Sequence, residues 1–126
     1  MRKLMLILAL VVMTIPVLAG VSFAADQIIQ CRTVPCYGTG NNDLVYERVG
    51  VHKKDRIILR GGNDRVLANA YGKDRDVVKS GKGGDRINVA DRDTRDFAGA
   101  GRGTHDFCVV DSLAELGPGC DGHKVQ

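Results

Sequence analysis

The sequence predicts an all-β protein, a parallel β-roll or β-solenoid of about three and a half coils whose two ends are closed by disulfides. Three observations carry that expectation. Aspartates recur with a fixed 21-residue period, each followed by a short apolar segment. Glycine-rich turns separate many of those segments, and four cysteines fall into two local pairs that bracket the repeats.

The period is read from Asp43, Asp55, Asp64, Asp76, Asp85, Asp96 and Asp106, which are spaced by 12, 9, 12, 9, 11 and 10 residues. Taken in successive pairs, every interval is 21 residues. Asp43, Asp64, Asp85 and Asp106 thus form one series, with Asp55, Asp76 and Asp96 interleaved as a second. Two strands and two turns per period make one coil.

Along the chain, residues 1–24 come first and read as a cleavable signal peptide. Arg2 and Lys3 precede an apolar run from Leu4 to Leu18, and Ser22-Phe23-Ala24 supplies small residues for cleavage after Ala24. Val21 stands where a lipoprotein signal would need cysteine. The apolar run is short for a membrane span and no basic stop-transfer cluster follows it, so a secreted protein with no membrane anchor after cleavage is expected.

Residues 25–37 read as an N-terminal cap holding Cys31 and Cys36, residues 38–110 as the repeat solenoid, and residues 111–126 as a C-terminal cap holding Cys120. An even number of cysteines in an exported chain reads as two disulfides with three possible connectivities. Cys31–Cys36 and Cys108–Cys120 is favoured because each pair is local and sits at one end of the repeats. Neither pair has the spacing of a zinc site.

Within the repeats, the segments Leu44-Val45-Tyr46, Arg65-Val66-Leu67-Ala68, Arg86-Ile87-Asn88-Val89 and Phe107-Cys108-Val109-Val110 follow the first aspartate series. Arg56-Ile57-Ile58-Leu59 and Val77-Val78-Lys79 follow the second. Period-two alternation turns Val45, Val66, Ile87 and Cys108 to one wall of the interior and Ile57, Val78 and Ala98 to the other.

The whole chain carries 18 basic and 15 acidic residues, and loss of Arg2 and Lys3 leaves a nearly neutral mature protein. There is no tryptophan, and Tyr37, Tyr46, Tyr71, Phe97 and Phe107 are scattered. Neither a basic excess nor an aromatic platform is present, so nucleic acid is not an expected partner.

The turns Gly38-Thr39-Gly40-Asn41-Asn42-Asp43-Leu44-Val45, Leu59-Arg60-Gly61-Gly62-Asn63-Asp64-Arg65-Val66 and Ser80-Gly81-Lys82-Gly83-Gly84-Asp85-Arg86-Ile87 share one pattern. Gly101-Arg102-Gly103-Thr104-His105-Asp106-Phe107-Cys108 follows it more loosely. The pattern resembles the hemolysin-type (RTX) calcium-binding nonapeptide, Gly-Gly-x-Gly-x-Asp-x-U-x with U a large apolar residue. Residues 31 to 120 as a whole resemble small exported bacterial proteins of that type. The resemblance implies calcium held between coils by Asp43, Asp64, Asp85 and Asp106, with carbonyls of Gly38, Gly40, Gly61 and Gly81 among the partners. Calcium takes six to eight oxygen ligands, which aspartates and glycine-turn carbonyls supply. The second aspartate series departs from the pattern, because its turns lack the glycines and carry Lys53, Lys54, Lys73, Arg92 and Arg95. The expectation is therefore calcium at the glycine-rich edge alone, with weak affinity on the order of 0.1–1 mM.

Other readings attach to the same residues. The recurring aspartates can serve as turn formers whose side chains bond nearby backbone N–H groups. Asp55-Arg56, Asp64-Arg65 and Asp85-Arg86 can present Arg-rich faces to an unidentified extracellular partner without calcium. Asp74-Arg75-Asp76 and Asp91-Arg92-Asp93 bring carboxylates together, as a glycoside hydrolase requires, but read as loop charge. His105-Asp106 near Ser112 lacks a nucleophile elbow. No enzymatic activity is expected.

Overall fold

A computed structural model describes residues 26–50 and 53–126. The signal peptide read over residues 1–24 lies outside the described residues. Among the described residues, ten short strands form two sheets with parallel pairing throughout. The larger sheet holds, in order, β1 (Gln27–Gln30), β3 (Asp43–Tyr46), β5 (Arg65–Leu67), β7 (Arg86–Asn88), β9 (Phe107–Val110) and β10 (Gly122–Val125). The smaller holds β2 (Cys36–Tyr37), β4 (Arg56–Ile58), β6 (Val77–Lys79) and β8 (Phe97–Gly99). The chain passes from one sheet to the other at every turn, so the coils stack as a parallel β-roll.

The 21-residue period becomes the pairing register. Val45 lies beside Val66, Val66 beside Ile87, and Ile87 beside Cys108. On the facing sheet Cys36, Ile57, Val78 and Ala98 are in line. All eight are buried, while Arg65 and Arg86, one residue away, are exposed on the outer face. Alternation on a pleated strand produces this division, and a one-residue slip would turn the whole apolar set outward. Each fully buried valine or isoleucine stabilises the roll by roughly 1.5–3 kcal/mol.

A second inward row follows two residues later. Leu59, Ser80 and Ala100 occupy it on the smaller sheet, and Ala68, Val89 and Val110 on the larger, all buried. Glu47 stands in the same row as Ala68: its N–H bonds the Leu67 carbonyl as the Ala68 N–H bonds that of Asn88. A buried carboxylate thus takes a place that the following coils fill with apolar side chains.

The segments read as caps are themselves built into the roll. β1 and β2 pair with β3 and β4, and β10 continues the larger sheet past β9. The expected disulfides are present, with Cα separations of 5.5 Å for Cys31–Cys36 and 5.8 Å for Cys108–Cys120. The first ties the end of β1 to the start of β2. The second ties an inward position of β9 to the turn before β10. Between them in the final coil, a short 3-10 helix (Leu113–Glu115) is closed by a capping box of Ser112 and Glu115.

Candidate metal centre

Each coil has two turns, which form two edges of the roll. The glycine-rich edge carries the turns from the smaller sheet to the larger, closed by Asp43, Asp64, Asp85 and Asp106. The other edge carries the return turns, closed by Asp55, Asp76 and Asp96.

On the glycine-rich edge each aspartate bonds to the next. The N–H groups of Asp43, Asp64 and Asp85 donate to Oδ1 of Asp64, Asp85 and Asp106 at 2.8, 2.8 and 2.7 Å. The Asp106 N–H donates to Asp121 at 3.1 Å, which ends the ladder. Asp43, at the first rung, accepts from the Thr39 N–H at 2.6 Å and the Thr39 hydroxyl at 2.8 Å. Asn side chains run the opposite way: Oδ1 of Asn42 accepts from the Asn63 N–H, and that of Asn63 from the Gly84 N–H. Adjacent coils are therefore laced in both directions.

The glycines read as carbonyl donors have distinct surroundings. Gly38 lies against the Leu59 side chain, Gly40 has open space around its Cα, and Gly61 bridges to Lys82 in the next coil. Gly81 adopts φ 99° with the Arg60 carbonyl 2.8 Å from where a Cβ would stand. The four aspartates of this edge are brought into one column, one per coil. Among the described residues, no three acidic side chains gather there.

The second edge has a parallel ladder and something more. The N–H groups of Asp55 and Asp76 donate to Oδ1 of Asp76 and Asp96 at 2.8 and 2.6 Å, and that of Asp96 to Glu115 at 3.3 Å. Although they are not glycines, Lys73 and Arg92 take left-handed conformations at φ 72° and 81°. Their N–H groups are held by carboxylates of the following coil, Asp93 at 2.6 Å and Asp111 at 2.7 Å. Asp74, Asp76 and Asp96 point inward and are buried, while Lys73, Arg75, Arg92 and Arg95 are exposed.

Four overlapping groups of carboxylates result, each with ligand oxygens within 4.8 Å of one another: Glu47, Asp55 and Asp76; Asp74, Asp76 and Asp96; Asp74, Asp91 and Asp93; Asp93, Asp96 and Glu115. Oxygens on opposite sides of a calcium ion lie about 4.8 Å apart, so each group fits within one coordination sphere. The all-oxygen donor sets suit a hard divalent cation.

Burial disfavours the charged form of several carboxylates on both edges. It pushes Asp76 up to about 8, with Asp74, Glu47 and Asp96 adding repulsion and the ladder bond from Asp55 opposing. Burial likewise raises Asp96 to about 7, Asp64 to about 7 and Asp91 to about 6, and holds Glu47 and Asp85 above the usual carboxylate range. One oxygen each of Asp64, Asp76, Asp85, Asp96 and Asp106 is buried without a hydrogen-bond partner. Such an atom retains the desolvation cost of a charged group and lacks the compensating bond.

Sequence reasoning placed the ion sites among the glycines and read the Asp-x-Asp turns as loop charge. The signal it passed over is alternation. In Asp74-Arg75-Asp76 the acids are buried and in Asp91-Arg92-Asp93 half-buried, while both arginines are exposed, so basic residues in the sequence do not neutralise the interior. His105 and Ser112 flank opposite ends of β9, with Ser112 engaged in capping the 3-10 helix, so these residues do not assemble as a triad. Comparison with family models, with curated proteins and with solved structures finds no match to this chain.

Proposed function

We propose that this chain is an exported, non-catalytic β-roll of the RTX-like kind, whose coil stack is stabilised by bound calcium. The observation that supports the reading is the column of buried carboxylates that keep unpartnered oxygens in successive coils. A cation supplies those oxygens with a partner and relieves the repulsion between rungs. The leader at residues 1–24 and the disulfides fit an oxidising, calcium-rich compartment.

The test is thermal unfolding of the oxidised mature chain in calcium, in magnesium and in chelator. An ion that binds only the folded state at about ten times its Kd adds roughly 1.4 kcal/mol, which raises the Tm of a domain this size by several degrees. Magnesium, which demands a smaller octahedral cage, should do little. A Tm indifferent to calcium up to about 10 mM, beyond the range of extracellular modules, would overturn the reading.

A second reading rests on Arg65 and Arg86, which are adjacent in register and exposed. With Arg102 and His105 they line a groove of 790 Å³. In that reading the roll binds an anionic surface partner through its Arg-rich face without calcium, and chelator leaves the binding unchanged.

A further inference from the structure

We propose that the cation sits on the edge without the glycines, held by Asp74, Asp76 and Asp96 with Asp91 and Asp93 beside them. This inference rests on the cation-stabilised reading above and names the site.

Three observations converge on that edge. The first is the donor set. Asp74, Asp76 and Asp96 hold ligand oxygens within 4.8 Å of one another, and Asp74 is shared with an equally compact group of Asp91 and Asp93. The glycine-rich edge offers one aspartate per coil, in turns that also contain Arg60, Lys82 and Arg102.

The second is the state of those oxygens. Asp76 is 0 % exposed and Asp96 4 %, and Oδ2 of each has no hydrogen-bond partner. Asp64, Asp85 and Asp106 share that state on the other edge, but only here do the buried carboxylates belong to one compact donor set. The other groups on this edge are largely committed. Asp55 accepts from both the N–H and the guanidinium of Arg48, and Asp93 from the N–H groups of Lys73 and Arg95. Glu115 accepts from Asp96, Asp111 and Ser112. Asp76 and Asp96 bond the preceding coil through Oδ1, and Oδ2 of each stays uncommitted.

The third is access. A cleft of 820 Å³ lined by Asp91, Arg92, Asp93, Asp111 and Asn69 opens at this edge, so the two carboxylates that share a compact group with buried Asp74 are reachable from solvent. The occupant that fits is calcium, which tolerates irregular oxygen shells of high coordination number.

The experiment is calcium titration by calorimetry, with Tm in calcium and in chelator, on the oxidised mature chain and single asparagine variants. Asparagine keeps an oxygen for the ladder N–H and removes the charge. Asp76→Asn and Asp96→Asn should each weaken calcium binding by at least about tenfold, because affinity follows the number of charged ligands. Asp64→Asn and Asp85→Asn should change it by less than about threefold. Asp91→Asn, half-buried and so tolerant of change, should also weaken binding and serves if a buried variant fails to fold. If Asp64→Asn and Asp85→Asn abolish the response while Asp76→Asn, Asp96→Asn and Asp91→Asn keep it, the edge is wrong and calcium stabilisation stands. If the unsubstituted chain shows neither heat nor a Tm shift with calcium, both ideas fail together.

Discussion

The backbone N–H of Asp64 donates to Oδ1 of Asp85, one coil further on, at 2.8 Å. The two residues are 21 apart in sequence and identical in role, and the bond between them is the unit from which both edges are built. At the aspartate that leads into each repeat strand, a carboxylate of the next coil accepts the backbone N–H. The aspartate period therefore records a hydrogen-bond ladder whether or not an ion is bound.

Removing that acceptor should cost stability by itself. Asp85→Ala strands the Asp64 N–H in the interior, and urea denaturation in chelator should show a loss of about 1–3 kcal/mol. Asp85→Asn retains the oxygen and should lose less than half as much. Equal losses would mean that the carboxylate charge, and not the acceptor, holds the coils.

Stability without metal should fall as pH rises. Folded Asp64 and Asp96 hold their protons to about pH 7 and Asp76 to about pH 8. Unfolded aspartate releases its proton near pH 4, roughly. Between those values the folded state binds more protons, so the stabilisation is full below the unfolded pKa and is lost as pH passes through about 7 to 8. In chelator, Tm should therefore be higher at pH 5 than at pH 8, the decline running from the unfolded pKa of about 4 up to the folded values of about 7 to 8. A Tm that instead rises across this window would show the carboxylates to be charged and compensated.

Two glycines of the same edge should behave oppositely. Gly83 has φ 128°, and a Cβ there would stand inside contact distance of the Gly62 carbonyl oxygen. Gly83→Ala should destabilise by at least about 1–3 kcal/mol through strain and displacement of the neighbouring coil. Gly40 has open space around it, and Gly40→Ala should stay within about 0.5 kcal/mol. Chemical denaturation of the two variants side by side decides the matter.

Adjacent residues of β7 should differ as sharply. Ile87 is packed between the sheets and Arg86 faces outward. Ile87→Ala should cost about 2–5 kcal/mol and Arg86→Ala less than about 0.5 kcal/mol. A comparable loss at both sites would contradict the register.

The cysteines offer a covalent check. The exported protein should weigh about four mass units less than its reduced form. Peptide mapping should link Cys31 to Cys36 and Cys108 to Cys120. A peptide joining Cys31 to Cys120 would require the two ends of the roll to meet, which the stacked coils forbid.

Much of the architecture was legible before any coordinates. In a parallel roll a residue's neighbour in space is its counterpart one period later, so a 21-residue repeat states the register directly. Val45, Val66, Ile87 and Cys108 needed only that period and strand alternation to be placed on one wall. The local cysteine pairs followed because a solenoid keeps its ends apart.

The sequence was less informative where the period is imperfect. β1 and β10 follow Asp26 and Asp121, which fall outside the 21-residue period, and β2 follows no aspartate, yet all three join the sheets by continuing their exposed parallel edges. Glu47 lies one 21-residue period before Ala68 and two residues after Val45, so the period marks its row, but an acidic side chain reads as a surface residue. Its depth follows from the stacking of whole coils.

The sequence by itself determined the coil, the register and the inward apolar rows, since each depends on spacing along one chain. Tertiary structure alone decided where the carboxylates converge. Asp74 and Asp76 come from one turn and Asp96 from the next coil, and the basic residues between them face outward from the stacked turns. Charge counted along the sequence averages acids with bases, whereas the folded edge separates them by direction. For that reason the strongest cation candidates lie on the edge that the glycine pattern had set aside.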